Sequence, residues 1–255
     1  MKSLILFLGI LLSATATWAN TAQQALALWQ SGNSAYQHKQ FDSAIQNYEQ
    51  ALGLAPQSAS IHYNLGNAYF RQNKLGSAML HYQKSLLLDP NNQNTKDNIT
   101  LVNARIPNGI KTIPDIFFIR WWHTLTSGIT SNRWAMSSLL LFWLYIIFLW
   151  QHVQTKKHNY IPKAVWLITP ILNVLFISLA ILAAYNKNNN KLAVVIQQNA
   201  ACTTKPNVYQ GQSLIPEGTT VQVGAQKANW IYVTLPNHKE GWMQLHALGF
   251  VQPTK

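Results

Sequence analysis

Laid on itself so that Gly32 falls on Gly66, the chain keeps matching through to Pro90. At that one offset Asn33 falls on Asn67, Ala44 on Ala78, Tyr48 on Tyr82, Leu52 on Leu86, Leu54 on Leu88 and Pro56 on Pro90. A fixed period of this length marks a stacked repeat, in which each unit buries its apolar face only against the next. Proline closes each copy, because it has no amide hydrogen to donate and its ring clashes with the preceding helical turn. Two such units rarely close a core alone. The stretch NNQNTKDNITLVNARI supplies cover: Ile99, Val102 and Ile106 fall three and four residues apart with polar residues between. That pattern predicts a capping helix over residues 92–105, giving five helices in all over residues 20–106.

The spacing resembles the tetratricopeptide repeat, with copies at about residues 25–58 and 59–92. By that resemblance the paired Gly and Ala sit where the two helices of a repeat press together, so small side chains are a packing requirement. The motif's usual Trp/Leu pair is replaced by Leu28 and Ser31 in the first copy and by His62 and Leu65 in the second. The resemblance also implies a concave, protein-binding groove lined by Trp29, Asn33, Tyr36, Tyr63, Asn64, Asn67 and Phe70. Amides there can pair with the backbone of an extended peptide, and aromatic rings can hold its side chains. Asn33 and Asn67 can equally brace neighbouring helices, and the residues alone leave both readings open. A clamp for a C-terminal carboxylate would want lysines on this face, and Trp29 and Tyr63 stand where one would be.

Beyond the repeats the chain turns apolar. Charged residues make up 10% of the whole and apolar ones 48%, where a soluble domain carries about a quarter charged. Residues 134–151 and 164–185 are runs without charge, read as two transmembrane helices; at 1.5 Å per residue the second is about 33 Å long, enough for a hydrocarbon core. The first is short unless its flanks contribute. Trp134 and Trp150 suit an interfacial belt. Pro170 and Asn173 would allow a kink and an interhelical hydrogen bond. Without intramembrane charge, ion or proton transport is excluded. The linker over residues 107–133 holds RWWHTLTSGIT, whose rings and Arg120 suit a helix lying in the lipid headgroup layer.

Lys156, Lys157 and Lys163 mark the loop over residues 152–163 as cytoplasmic. Residues 1–19 read as an exported signal peptide: Lys2, an apolar stretch from Leu4 to Leu12, then small residues up to Ala19. Both arguments put the flanking modules in the periplasm of a bacterial inner-membrane protein. The formal charge of +12 comes from a shortage of acids, seven in the chain, and not from clustered cations. Nucleic acid is therefore not an expected partner. Cys202, alone in the chain, can form no internal disulfide.

From residue 191 to 253 the pattern becomes short alternating strands, LAVVI, TTVQVG, NWIYVTL and EGWMQ, separated by turn-rich segments. This resembles a bacterial SH3-like domain, a small all-β barrel, through Pro206, Glu217-Gly218-Thr219, Val221, Trp230, Val233, Leu235-Pro236, Gly241-Trp242 and Leu248. Tyr209, Trp230, Tyr232 and Trp242 are candidate ligand-binding aromatics, for a peptide or for peptidoglycan; the tryptophans can equally close the end of a barrel.

The expected fold is thus multidomain: an all-α repeat solenoid, two transmembrane helices and the small barrel. This order of parts resembles the BatE-type proteins of the aerotolerance operon. The family implies a scaffold in the membrane beside von Willebrand factor A-type Bat partners and a cytoplasmic MoxR-like ATPase. A wall-binding anchor or envelope sensor acting through the SH3-like domain is the alternative. No Cys/His or Ser/His constellation and no metal-spaced histidine set points to catalysis or to a cofactor.

Overall fold

The computed structural model describes residues 21–110, 117, 122, 131–155, 163–189, 191–208 and 211–252. They fall into two compact units: one holds the chain up to Ile113 and again from Lys191, the other runs from Pro114 to Asn190.

The first unit begins with five helices: α1 over residues 21–37, α2 Phe41–Leu54, α3 Ala59–Arg71, α4 Leu75–Leu88 and α5 Gln93–Arg105. The expected capping helix is α5. Its start lies one repeat period after the start of α3 and copies it. Ser58 caps α3 by accepting from the Ile61 amide, and Asn92 caps α5 by accepting from the Thr95 amide at 3.0 Å, each satisfying one orphan donor of a first turn. The turns between paired helices also repeat, with Lys39 and Asn73 both at φ 60°. The glycines face tyrosine rings. A Cβ on Gly32 would meet Tyr48 at 2.5 Å, and one on Gly66 would meet Tyr82 at 2.7 Å. Both tyrosines and both paired alanines, Ala44 and Ala78, are buried.

The β-rich region follows in the same unit. Its strands are β1 Lys191–Val195, β2 Ala200–Cys202, β3 Ser213–Ile215, β4 Thr220–Lys227, β5 Trp230–Thr234, β6 Glu240–Gln244 and β7 Leu248–Phe250. They form a five-stranded sheet in the order β6-β5-β4-β1-β7 and a two-stranded ribbon, β2-β3. A single bridge, Thr203 to Trp242, ties the ribbon's end to β6. The pairing is therefore a sheet and a ribbon, and the closed barrel expected from the sequence is not what it shows. β2, β3 and β7 have three residues each, too short for an alternating pattern to reveal. Cys202 is buried against Gly241, and burial pushes its thiol pKa up.

Helix and sheet share one core. Leu75, Ala78, Met79, Tyr82, Val102 and Ile106 cluster with Val194 of β1 and with Val251. Glycines permit the approach: a Cβ on Gly76 would lie 2.8 Å from the Val195 carbonyl oxygen, and one on Gly249 would lie 2.6 Å from Leu80. α4 has no side-chain cap of its own. Glu217, from the turn before β4, fills that role, accepting from the Gly76 amide at 2.7 Å, where a carboxylate also meets the positive end of the helix dipole.

In the second unit α6 Ser131–Thr155 and α7 Lys163–Asn189 pair. Trp134 lies against Phe176, and Asn173 donates to the Ser138 carbonyl at 2.9 Å while accepting from the Ser138 hydroxyl at 3.2 Å. Contacts that rise along one helix and fall along the other make the pair antiparallel. Both helices are long and apolar enough to cross a membrane, over Ser131–Gln151 and Ile168–Tyr185. With 25 residues α6 is about 37 Å long, so its flanks supply the length missing from residues 134–151. The leader, Arg120 and the loop lysines 156 and 157 lie outside the described residues.

Gly76→Ala should test the shared core. The added methyl meets backbone, and overpacking of this kind costs about 1–3 kcal/mol, or roughly 2–4 °C of melting temperature per kcal/mol at this size. Gly53→Ala in α2 meets nothing within 4 Å and should raise stability by about 0.5–1 kcal/mol. Equal shifts for the two in a thermal melt of the full chain would contradict the interface.

Candidate functional site

A cleft of about 280 Å³ opens between α1 and α3, lined by Asn33, Tyr36, Gln37, Tyr48, Asn64 and Asn67. Its walls carry amides and phenols and no charged side chain. The cleft is built by one device used twice. The Tyr48 hydroxyl donates to Asn33 Oδ1 at 2.8 Å, and Asn64 Nδ2 donates to the same oxygen at 2.8 Å. One repeat later, Tyr82 donates to Asn67 Oδ1 at 2.8 Å and Asn98 Nδ2 donates to it at 2.8 Å. Burial pushes the Tyr48 phenol up to about 12 and raises Tyr82 further, so both stay protonated and must donate.

Asn33 and Asn67 are therefore braces through Oδ1. Their Nδ2 groups have no partner among the described residues. One amide can hold the helices with its oxygen and still offer two N–H donors to a ligand. Bracing and binding, which the sequence left as alternatives, are compatible in one side chain.

Four of the seven sequence-derived groove residues, Asn33, Tyr36, Asn64 and Asn67, come together in the cleft. The other three do not line it. Trp29 packs on the core of the first repeat, with its indole nitrogen buried and unpaired. Tyr63 lies on the Tyr82 ring at 6.1 Å. Phe70 lies under the Arg105 guanidinium at 4.2 Å. Sequence reasoning missed Gln37, Tyr48 and Asn98. The signal for Asn98 is its position one repeat after Asn64; the Tyr48–Tyr82 match marks two equivalent rings but does not show that their hydroxyls reach the groove.

The candidate aromatics of the β-rich region separate in the same way. Trp230 is 4% exposed and donates to Asn207 Oδ1 at 3.1 Å, so it is a core residue and not a contact surface. Tyr232 and Trp242 form a half-buried edge-to-face pair at 5.3 Å, and the Tyr232 hydroxyl donates to Glu240 at 2.8 Å. Tyr209 lies outside the described residues. Among the described residues no group of three His, Cys, Asp or Glu is placed to hold a metal ion.

The family description TPR repeat matches residues 32–73, and Tetratricopeptide repeat matches residues 59–92. Residues 32–92 are tetratricopeptide repeats. Such repeats are protein-interaction modules, and these two belong to that class. Similar solved structures include the Arabidopsis OM64 TPR domain, 20% identical with a TM-score of 0.29, covering 33% of this chain and 78% of that one. Another is the first TPR of Spaghetti (RPAP3) bound to the HSP90 peptide SRMEEVD. It is 21% identical with a TM-score of 0.22, covering 33% of this chain and 94% of that one. No match is found among curated proteins.

On the other side of the repeats His62 and His81 stack at 5.2 Å with their Nδ1 atoms 3.0 Å apart, and His62 Nε2 lies 3.3 Å from the Pro56 carbonyl oxygen. One neutral arrangement satisfies both contacts: Nε2–H of His62 donates to Pro56, and Nδ1–H of His81 donates to Nδ1 of His62. Burial and the positive Lys84 push His62 down to about 4; burial, His62 and Lys84 push His81 down to about 3. Both rings stay neutral in the fold, so their contribution is complete above the ordinary value of 6.5 and is lost as pH falls from there towards 3. Melts of the full chain in detergent should show a midpoint falling over that window. The double variant His62→Gln, His81→Gln should flatten the fall by several degrees, about 2–4 °C per kcal/mol. An unchanged slope would contradict the neutral pair.

Proposed function

We propose that this chain is a non-catalytic membrane adaptor that holds protein partners in the repeat groove. The observation that carries the reading is the pair of amides, Asn33 and Asn67, which line the cleft, brace the helices through oxygen and leave their Nδ2 donors without a partner among the described residues. An extended peptide offers carbonyl acceptors at regular intervals to such donors.

Membrane attachment rests on α6 and α7. Two crossings return a chain to the side it left. The sheet that follows α7 packs on the helices that precede α6, so a two-span hairpin agrees with that packing where a single span would not. Together with the leader over residues 1–19 and the Lys-bearing loop, this supports a bacterial inner-membrane protein with both soluble parts in the periplasm. The order of parts supports a place in an aerotolerance (Bat) complex with von Willebrand factor A-type membrane proteins. An SH3-like reading of the β-rich region leaves a second function open, in which the Tyr232–Trp242 pair beside Glu240 grips peptidoglycan.

The test fills the cleft without touching its braces. Gln37 is exposed, so Gln37→Trp should fold normally and place a ring over the opening, whereas Gln37→Ala removes little. In quantitative co-purification from detergent-solubilised membranes, the Trp variant should recover about tenfold less of the membrane partners, the scale of a lost interface anchor. Equal recovery by both variants would refute the groove as the binding site.

A further inference from the structure

The last residues of α1, α3 and α5 are Gln37, Arg71 and Arg105. They stand one repeat period apart and so occupy one repeat position in three neighbouring helices. The helices adjoin directly, as the hydrogen bonds from Asn64 to Asn33 and from Asn98 to Asn67 show. Gln37 lines the cleft, so the row it begins continues the rim of the groove from an uncharged end to a cationic one.

Each arginine rests on a ring. Arg71 lies over Phe41 at 5.5 Å, and Arg105 lies over Phe70 at 4.2 Å. A guanidinium stacked on an aromatic face keeps its planar donor edge available and loses less freedom on binding than an unsupported lysine. Neither forms an ion pair among the described residues. Across the three turns, residues 37–42, 71–75 and 105–110, the acid is Asp42, which Gln72 Nε2 engages at 2.6 Å. A helix-dipole role accounts for a cation at the ends of α3 and α5, but not for the ring beneath each one.

We propose that the row formed by Gln37, Arg71 and Arg105 selects acidic segments of protein partners. This rests on the groove being a peptide site and adds which peptides it prefers. Packed helices lie about 8–10 Å apart, and an extended chain rises about 3.3 Å per residue. Carboxylates two to four residues apart therefore match the two guanidiniums, while the uncharged part of the segment lies in the amide cleft. A flat anionic membrane surface could reach an arginine end but could not enter the concave face where Gln37 sits.

The test is selection of a phage-displayed random dodecapeptide library on the full-length chain in phosphatidylcholine nanodiscs. The expected result is enrichment of sequences with Asp or Glu two to four residues apart. Binding of the best of them, resynthesised, should weaken about fivefold in the double variant Arg71→Gln, Arg105→Gln, a scale set by exposed ion pairs. The Lys double variant should keep the acidic preference, and an unchanged melting temperature excludes misfolding. Enrichment without acidic preference, alike in wild type and the Gln variant, would overturn this inference while leaving the groove reading intact. No enrichment above a Gln37→Trp chain would overturn the groove reading and this one with it. An acidic preference that vanishes in phosphatidylglycerol nanodiscs would assign the arginines to lipid and overturn it as well.

Discussion

The fold of the repeats depends on a tyrosine hydroxyl and two asparagine amides meeting at one oxygen. The Tyr48 and Tyr82 rings fill the space that Gly32 and Gly66 leave open, and their hydroxyls reach the groove side to hold Asn33 and Asn67. The next helix then attaches through Asn64 or Asn98 to the same oxygens. Buried polar networks of this kind are stabilising when their members are satisfied, and among the described residues the groups left without a partner are the Nδ2 donors of Asn33 and Asn67, both of which line the cleft. A packing requirement and a binding surface arise from the same three side chains.

The second constraint is the joint between α4 and the sheet. A repeat array must cover its last apolar face. Here α5 covers the groove side, while β1 and the Val251 segment cover α4. Glu217 replaces the cap that α4 lacks. The helical and β-rich parts, separated in sequence by the apolar helices α6 and α7, thus depend on each other for a complete core.

Much of this was legible in the chain. The fixed period announced the repeats because the same contacts recur at the same interval, and α6 and α7 were legible as helices long and apolar enough to cross a membrane because their apolar runs are unbroken. The joint was not legible: Gly76, Gly249 and Glu217 each have a local explanation, and nothing in a linear pattern pairs residues 141 positions apart. The groove was half legible. Asn33 and Asn67 matched by register, but Phe70 looked like an open groove aromatic because the Arg105 side chain above it lies a full repeat away. Trp230 looked exposed for the same reason, since its partner Asn207 sits in a distant turn.

The phenol–amide brace joins the groove helices, and a double-mutant cycle on the full-length chain tests it most directly. Tyr82→Phe, Asn98→Ala and their combination would be compared by denaturant unfolding in detergent. Because both side chains donate to Asn67 Oδ1 and touch each other at 3.3 Å, they should couple by about 0.5–1.5 kcal/mol, the range for groups in one hydrogen-bond network. Additive effects, with no coupling beyond error, would show that the brace does not hold the groove helices together.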